Sequence, residues 1–434
     1  MQRGDRVGGR FEIAERVASG GMGTIFRGRD VRGRRDVAVK IVAVGTPDEA
    51  KRFAREAQIL AGFVDPGVVG YIAHGPDYLV MEWVEGESLR QRLDRAPLPA
   101  RDTLAAARQL ARALAALHAA GIVHRDVKPA NLMLAGEHIK LVDFGIARSA
   151  WTPRVTRTGM HIGTAGYMAP EQARGEPEVT GAADMFALGC VLYECLAGVP
   201  AFCGDSALAL RAKVLLHDPP PLGSVAPRLP GPLAALVMRL LAREVERRPV
   251  ASEVTGVLAE IELETGTEIE IDGAAPTARA ARDAATDVSQ GAALIGRNAG
   301  DAATEVSHGR AVACAILIAA DDPAVIGRVP ELAGGTAERF EGGAVTTRRD
   351  AASAARLALE LAAQLPDAMI AVACGRSAEE AIDRSARLVE RLAIAGAAGE
   401  RVAGAWVDGS AAGALDDEFV VETHGDRARL RGLA

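Results

Sequence analysis

The stretch His124-Arg125-Asp126-Val127-Lys128-Pro129-Ala130-Asn131, followed by Asp143-Phe144-Gly145, sets a carboxylate, an ammonium and an amide at fixed offsets, with a second carboxylate beyond them. Such a set suits a nucleoside triphosphate and its metal. Asp126 can accept a proton from a hydroxyl, and Lys128 can neutralise a phosphoryl group in transit. Asn131 and Asp143 can hold Mg²⁺ between phosphate oxygens.

Elements upstream must present the phosphates. Val17-Ala18-Ser19-Gly20-Gly21-Met22-Gly23-Thr24-Ile25 lies between two strand-like runs, Phe11 to Val17 and Thr24 to Arg29. Small residues there let backbone N–H groups approach an anion. Val37-Ala38-Val39-Lys40 ends the next apolar strand in a lysine, which needs a negative partner: phosphates, or a carboxylate on a helix. Glu56 can be that carboxylate. It sits in Asp48 to Ala61, where Phe53, Ala57 and Leu60 share one helical face.

Together these residues resemble the eukaryotic-type protein kinases of the bacterial Ser/Thr branch, from about Phe11 to Glu264. The glycine loop, Lys40, the catalytic loop, Asp143-Phe144-Gly145 and Ala169-Pro170-Glu171 occur in family order. Gly20-Gly21-Met22-Gly23, Met168-Ala169-Pro170-Glu171-Gln172 and Phe144-Gly145-Ile146-Ala147-Arg148 carry the bacterial likeness. The fold implied is α+β: a small β-rich lobe up to about Val80, hinged to a larger helical lobe. The activity implied is transfer of the γ-phosphoryl of Mg·ATP to Ser/Thr hydroxyls of proteins. One departure stands out, because Ala18 occupies the place of the family's first loop glycine. A modest effect on nucleotide affinity is expected.

The resemblance also assigns further residues. Val17 to Ile25 would cover the phosphates, with Ile25 and Ala38 against one face of the adenine and Met133 under the other. Met81 would stand at the back, and Glu82-Trp83-Val84 would form the hinge. Lys128 and Thr164 would mark Ser/Thr specificity. Glu171 should pair with Arg248, and Asp184 should accept backbone N–H bonds from the catalytic loop. Leu60, Tyr71, His124 and Phe144 should stack between the lobes, which makes His124 structural. Arg125 and Arg148 would receive a phosphate on the loop between them; Thr156 and Thr158 have the family's spacing from Thr164.

The chain has 434 residues, enough for more than one core, and a formal net charge of −7, which disfavours nucleic acid as a partner. Cys190, Cys195, Cys203, Cys314 and Cys374 show no metal or redox spacing, which reads as a reducing cytoplasm. The longest strongly apolar stretch, Ala311 to Ala320, is about half of the roughly 20 residues that a membrane span requires. Neither a membrane segment nor a signal peptide is expected. The chain ends soon after its last strand-like run, which leaves open a longer signalling protein.

Composition divides the chain into residues 11–264, the kinase-like region, 265–310, a low-complexity linker, and 311–434, a second and smaller α+β domain. The linker holds an imperfect repeat, Asp283 to Gly291 and Asp301 to Gly309, and a threonine followed by an acid recurs at Thr267, Thr286 and Thr304. Neutral drift is one reading; phosphorylation that docks a phosphothreonine-reading domain is the other. Beyond it, Val312 to Ile318 and Met369 to Cys374 read as strands. Asp350 to Leu365 and Ser377 to Ala395 read as helices, the first suited to packing against a copy of itself in a homodimer.

This last region resembles a degenerate class III nucleotide cyclase domain. Cys314 to Asp321 would be the apolar strand that ends in a metal-binding Asp, Phe340-Glu341-Gly342-Gly343 the Gly-Asp-Gly hairpin, and Ala381 to Leu388 the helix with a catalytic Asn and Arg. Arg387 is retained. Gly342 replaces the second metal Asp, and Asp383 replaces the Asn. An unrelated α+β module is the alternative. For the whole chain, the rival to a protein kinase is a pseudokinase scaffold that binds partners without catalysis, opposed by the complete set Lys40, Glu56, Asp126, Asn131 and Asp143.

Overall fold

The computed structural model describes residues 1–20, 23–42, 46–143, 165–204, 206–265, 313–320, 322–334, 337–340, 343–375, 377–397, 402–408, 411–412, 415, 419–424 and 427–433. The linker expected at 265–310 lies almost wholly outside them, as do Gly21, Met22, Phe144, Arg148, Thr156, Thr158, Thr164, Thr267, Thr286, Thr304, Asp321, Glu341 and Gly342.

The amino-terminal lobe is a sheet of strands β1 (Arg6–Val7), β2 (Phe11–Gly20), β3 (Gly23–Asp30), β4 (Arg35–Ile41), β5 (Tyr71–His74) and β6 (Tyr78–Glu82), in the order β1-β2-β3-β4-β6-β5. Every pairing is antiparallel. Alternation along β4 sends Val37 and Val39 into a core with Phe11, Ile13, Phe26 and Val80. Helix α1 (Pro47–Ala61) buries Phe53, Ala57 and Leu60, the face expected from their spacing. At Asp30, the Arg10 guanidinium makes a two-pronged pair at 2.8 and 2.6 Å and holds the carboxyl well below the usual range.

The helical lobe comprises α2 (Leu89–Arg95), α3 (Ala100–Ala119), α4 (Pro170–Arg174), α5 (Ala182–Ala197), α6 (Ala207–Leu216), α7 (Leu222–Val225), α8 (Gly231–Leu240) and α9 (Ala251–Thr265). A small sheet, β7 (Glu87–Ser88), β8 (Leu132–Ala135) and β9 (His138–Leu141), lies at the inter-lobe cleft. Helix α5, apolar apart from Asp184 and Glu194, is buried from Ala183 to Ala197, the pattern of a helix that others pack around. It stops at Gly198, whose φ of 73° is the left-handed geometry that ends helices cheaply.

The carboxy-terminal residues form a second sheet. Strands β10 (Ala313–Ala319), β11 (Glu338–Phe340), β12 (Gly343–Arg348), β13 (Met369–Gly375), β14 (Gly404–Val407), β15 (Phe419–His424) and β16 (Arg427–Leu433) run in the order β11-β12-β10-β13-β14-β16-β15. Only the β13–β14 pair is parallel. Alternate residues of β10 serve opposite faces. Cys314, Ile316 and Ile318 meet α10 (Pro323–Leu332) and α11 (Ala351–Gln364), whereas Ala315, Leu317 and Ala319 share a cluster with α12 (Ala378–Ala397). The apolar face of α11, which looked suited to a second copy, is spent on its own sheet through Ala354, Ala358 and Leu361.

The cysteine reading needs correction. Cys314 and Cys374 form a disulfide across β10 and β13, where the register sets them directly opposite each other. They are 60 residues apart in sequence, so short-range spacing could not reveal them, and the argument for a reducing compartment loses its premise. Among the described residues no helix is long and apolar enough to cross a membrane.

The expected Glu171–Arg248 pair lies fully buried, with N–O distances of 2.7 and 2.9 Å. Arg248 also donates to the carbonyls of Ala242, Ala182 and Arg243, so its charge is satisfied by groups on several elements. Glu171→Ala should cost about 3–5 kcal/mol, because it strands a buried cation. A denaturant titration of the purified protein measures this; a loss below about 1 kcal/mol, typical of an exposed pair, would refute it.

Candidate active site

The catalytic loop is aimed by a buried carboxylate. Asp184 opens α5 and accepts the backbone N–H groups of His124 at 2.8 Å and Arg125 at 2.7 Å, as its position suggested. His118 Nε2 also lies 2.9 Å from Asp184. These bonds hold Arg125 at a φ of 64°, a left-handed geometry that costs a non-glycine residue energy and is sustained only by its surroundings. The chain emerges from it with Asp126 at the cleft.

Around Asp126 the expected residues converge. Lys128 Nζ lies 2.9 Å from its carboxylate. The Asn131 amide donates to its carbonyl at 2.8 Å and to its Oδ2 at 2.9 Å. Hairpin register brings in the second carboxylate: Leu132 pairs with Leu141, and Val142 N–H donates to the Asn131 carbonyl at 2.9 Å. Asn131 and Asp143 thus flank the same end of the β8–β9 hairpin. Asp143 also adopts a positive φ, 59°.

Lys40 comes from the other lobe and forms an ion pair with Asp143 across the cleft, with a side chain only 5% exposed. Glu56, its expected tether, is half-buried on α1. The ladder β3-β4-β6 assembles the remaining residues by register. Ile25 lies opposite Lys40, and Ala38 opposite Met81. Glu82 ends β6, and its carboxylate pairs with Lys140 on β9, which bridges the hinge strand to the helical lobe. Met81 is buried, whereas Ala38, Ile25, Val84 and Met133 are half-buried around the cleft.

The glycine loop is visible at its two stems. Ala18 pairs with Ile25, Ser19 with Thr24 and Gly20 with Gly23, and the Ser19 and Thr24 hydroxyls lie 3.3 Å apart. Gly23 has a φ of +126°, and a Cβ there would fall 2.0 Å from the Ile41 carbonyl oxygen, so this loop glycine is required sterically. Val17 is 51% exposed, an apolar side chain uncovered beside the loop.

Sequence reasoning gave Gln172 no role, yet it joins two parts of the site. Its amide oxygen accepts the N–H of Ala169, and its amide nitrogen donates to the Arg125 carbonyl at 3.1 Å. Helix α4 is thereby tied to the residue before Asp126. A second unforeseen group joins Tyr167, whose hydroxyl donates to the buried Glu194, to Arg90, 2.6 Å from the same carboxylate. Both depend on contacts between residues far apart in sequence, so no local pattern announces them.

The protein kinase domain family matches residues 11–256, more than half of the chain. The chain belongs to that family. It is 39% identical over 253 residues to the serine/threonine-protein kinase PknB of Mycobacterium leprae, a match covering 55% of this chain and 40% of the relative. It is 36% identical over 300 residues to a probable serine/threonine-protein kinase of Streptomyces coelicolor (65% and 43%). To the serine/threonine-protein kinase PknA of Mycobacterium tuberculosis it is 38% identical over 275 residues (59% and 63%). The chain therefore spans less than two thirds of the length of each.

His124 is fully buried, and its Nδ1 lies 3.3 Å from the Asp126 N–H. Burial pushes its imidazole below the ordinary value of about 6.5, against the opposing pull of Asp184, Asp126 and Asp143. The unfolded chain therefore binds this proton more readily than the folded one. Stability owed to His124 should be complete above about pH 6.5 and fall as pH drops from there towards the lowered folded value. His124→Phe, which keeps a ring without a titrating nitrogen, should flatten the slope of stability against pH between about 6.5 and 5. Denaturant titrations at a series of pH values test this, and an unchanged slope would remove His124 as its source.

Proposed function

We propose that this protein is a Ser/Thr protein kinase that transfers the γ-phosphoryl of ATP to protein hydroxyls. One observation carries the reading: Asp126, Lys128, Asn131, Asp143 and Lys40 converge at one cleft, within a chain of the protein kinase family. Relatives bearing the serine/threonine-protein kinase name support the choice of hydroxyl.

In this reading the acceptor hydroxyl approaches Asp126, which orients it and takes its proton. Lys128 lies beside that carboxylate and offsets charge on the transferring group. Asn131 and Asp143 would hold Mg²⁺, which neutralises phosphate charge when bound. The donor set fits, because the Asn131 amide nitrogen is committed to Asp126 and leaves its amide oxygen for a metal. Lys40, now paired with Asp143, would turn to the phosphates, with Glu56 as its tether. Val17 to Ile25 would close over the nucleotide. The adenine would lie between Ile25 and Ala38 on one side and Met133 on the other, with Met81 behind and Glu82 and Val84 at its edge.

Activation by phosphorylation at Thr156 and Thr158, with Thr164 contacting Asp126 and Lys128, belongs to the same reading. Protein substrates are the partners it requires; a phosphothreonine-reading domain on the linker is a further one. Residues 311–434 are read as a degenerate cyclase-like domain. What supports that reading is that the described residues of the three segments lie on β10, on the antiparallel pair β11 and β12, and on α12. A homodimer would have to use a surface other than the apolar face of α11.

Asp126→Asn should lower phosphoryl transfer by orders of magnitude and leave ATP binding within a few-fold, since the proton acceptor is lost but the nucleotide contacts are kept. Radiolabelled transfer to a generic basic protein, alongside nucleotide titration, measures both. Near-normal turnover would sink the mechanism and favour a scaffold. Protein produced with a phosphatase should start slowly and accelerate on incubation with Mg·ATP, phosphate appearing between Ser149 and Thr158 by mass spectrometry. Phosphate found only in the linker would defeat the proposed Arg125–Arg148 pocket.

A further inference from the structure

Helix α6 is covered on two opposite sides. Every residue from Ala209 to Leu215 is buried, including Arg211 and Lys213. Leu210 and Val214, one turn apart, belong to the core of the kinase lobe. Ala209, Ala212 and Leu215 face elsewhere, into a cluster shared with Met168 and Ala173 of the kinase lobe and Phe340, Ala381 and Ile382 of the carboxy-terminal unit. A helix on the outside of a lobe normally keeps a polar face to water. This one has given that face to the second unit.

Charge fixes the contact. Lys213 Nζ lies 2.8 Å from Asp383 Oδ2 on α12, with side chains 8% and 18% exposed, and also donates to the Cys203 carbonyl at 2.8 Å. Arg174, on α4, lies 3.3 Å from Glu338 on β11. The pairs come from separate elements on each side, so the two units are held in one orientation. Asp383 is the residue that stands where a cyclase would carry its catalytic asparagine, and here it anchors the kinase lobe.

The docked surface is joined to the residue before Asp126. In the kinase reading, Lys40 and the glycine loop would hold the nucleotide from the β-rich lobe, which leaves the helical-lobe side of Asp126 to the acceptor hydroxyl. There α4 is bonded through Gln172 to the Arg125 carbonyl and through Arg174 to Glu338. Met168, three residues before Glu171, is buried in the same contact.

We propose that the carboxy-terminal unit is an intramolecular brake: docked on α4 and α6 by the Lys213–Asp383 and Arg174–Glu338 pairs, it covers the surface on which a protein substrate must lie. A short peptide needs only the cleft and is admitted; a folded substrate has to displace the unit. The proposal rests on the protein kinase reading above.

The test uses the full chain with Asp383→Lys, Lys213→Glu and the double exchange, and with Glu338→Arg as a milder, more exposed variant. Amide exchange of α6 reports docking without reference to catalysis. Asp383→Lys and Glu338→Arg should speed exchange in α6 and raise transfer to a folded protein several-fold, with transfer to a short peptide unchanged. Lys213→Glu should do the same, and the double exchange should restore both the protection and the slow rate. Two results would overturn the proposal: α6 exchange unaltered by every single variant, or exchange loosened while protein and peptide rates stay in their original ratio. A wild-type chain that protects α6 but transfers nothing to either substrate would instead refute the kinase reading and leave the dock standing.

Discussion

Asp184 is the constraint on which the active site depends. A carboxylate with almost no exposure is tolerated because it accepts two backbone N–H bonds and sits beside His118. Hydrogen bonds to a charged group are each worth about 1.5–3 kcal/mol, enough to hold Arg125 in a backbone geometry it would otherwise leave. Asp126 is aimed by that turn. Asn131 then grips Asp126, and the β8–β9 register carries Asp143 to the same place. The chemistry at the cleft thus hangs on a residue of the large lobe's most buried helix.

The same lobe is secured farther out by Arg248. It spans Glu171 and the carbonyls of Ala182, Ala242 and Arg243, and lies over the Phe186 ring. Because Glu171 stands on α4, this ion pair and the Gln172 bond to Arg125 act on one short helix from two sides. Helix α4 therefore joins the lobe's structural anchor, the catalytic loop and, through Arg174, the carboxy-terminal unit. A force on any of these is felt by a segment a few residues long.

That arrangement gives the second sheet a part in the kinase lobe's structure. Its alternating strands need helices on both faces, supplied by α10 and α11 on one and α12 on the other. Helix α12 also reaches the kinase lobe, where its Asp383 pairs with Lys213 of α6. Small residues on both helices permit the close approach, and Lys213 with Asp383 sets its register. The cost of burying Lys213 is met by Asp383 and the Cys203 carbonyl together, as a partly buried charge requires.

Chemistry that works within a few residues of sequence was legible without a structure. The offsets of Asp126, Lys128 and Asn131, the strand lysine Lys40, the helical spacing of Phe53, Ala57 and Leu60, and, in the carboxy-terminal region, strands β10 and β13 and helices α11 and α12 follow from local pattern, whereas α10, β11 and β12 were not read from it. Glu171–Arg248 and Asp184 were reached through family resemblance. Pairings between distant segments were not legible: Cys314 with Cys374, Gln172 with Arg125, Tyr167 with Glu194, Lys213 with Asp383. Each depends on strand register or helix docking, which are settled by burial of whole faces and leave no signature at either residue alone. By itself, then, the sequence determined the candidate catalytic groups and the local elements that bear them. Only the tertiary structure decided that α6, buried on two sides, is shared between two cores, because a buried face reads the same whichever partner covers it.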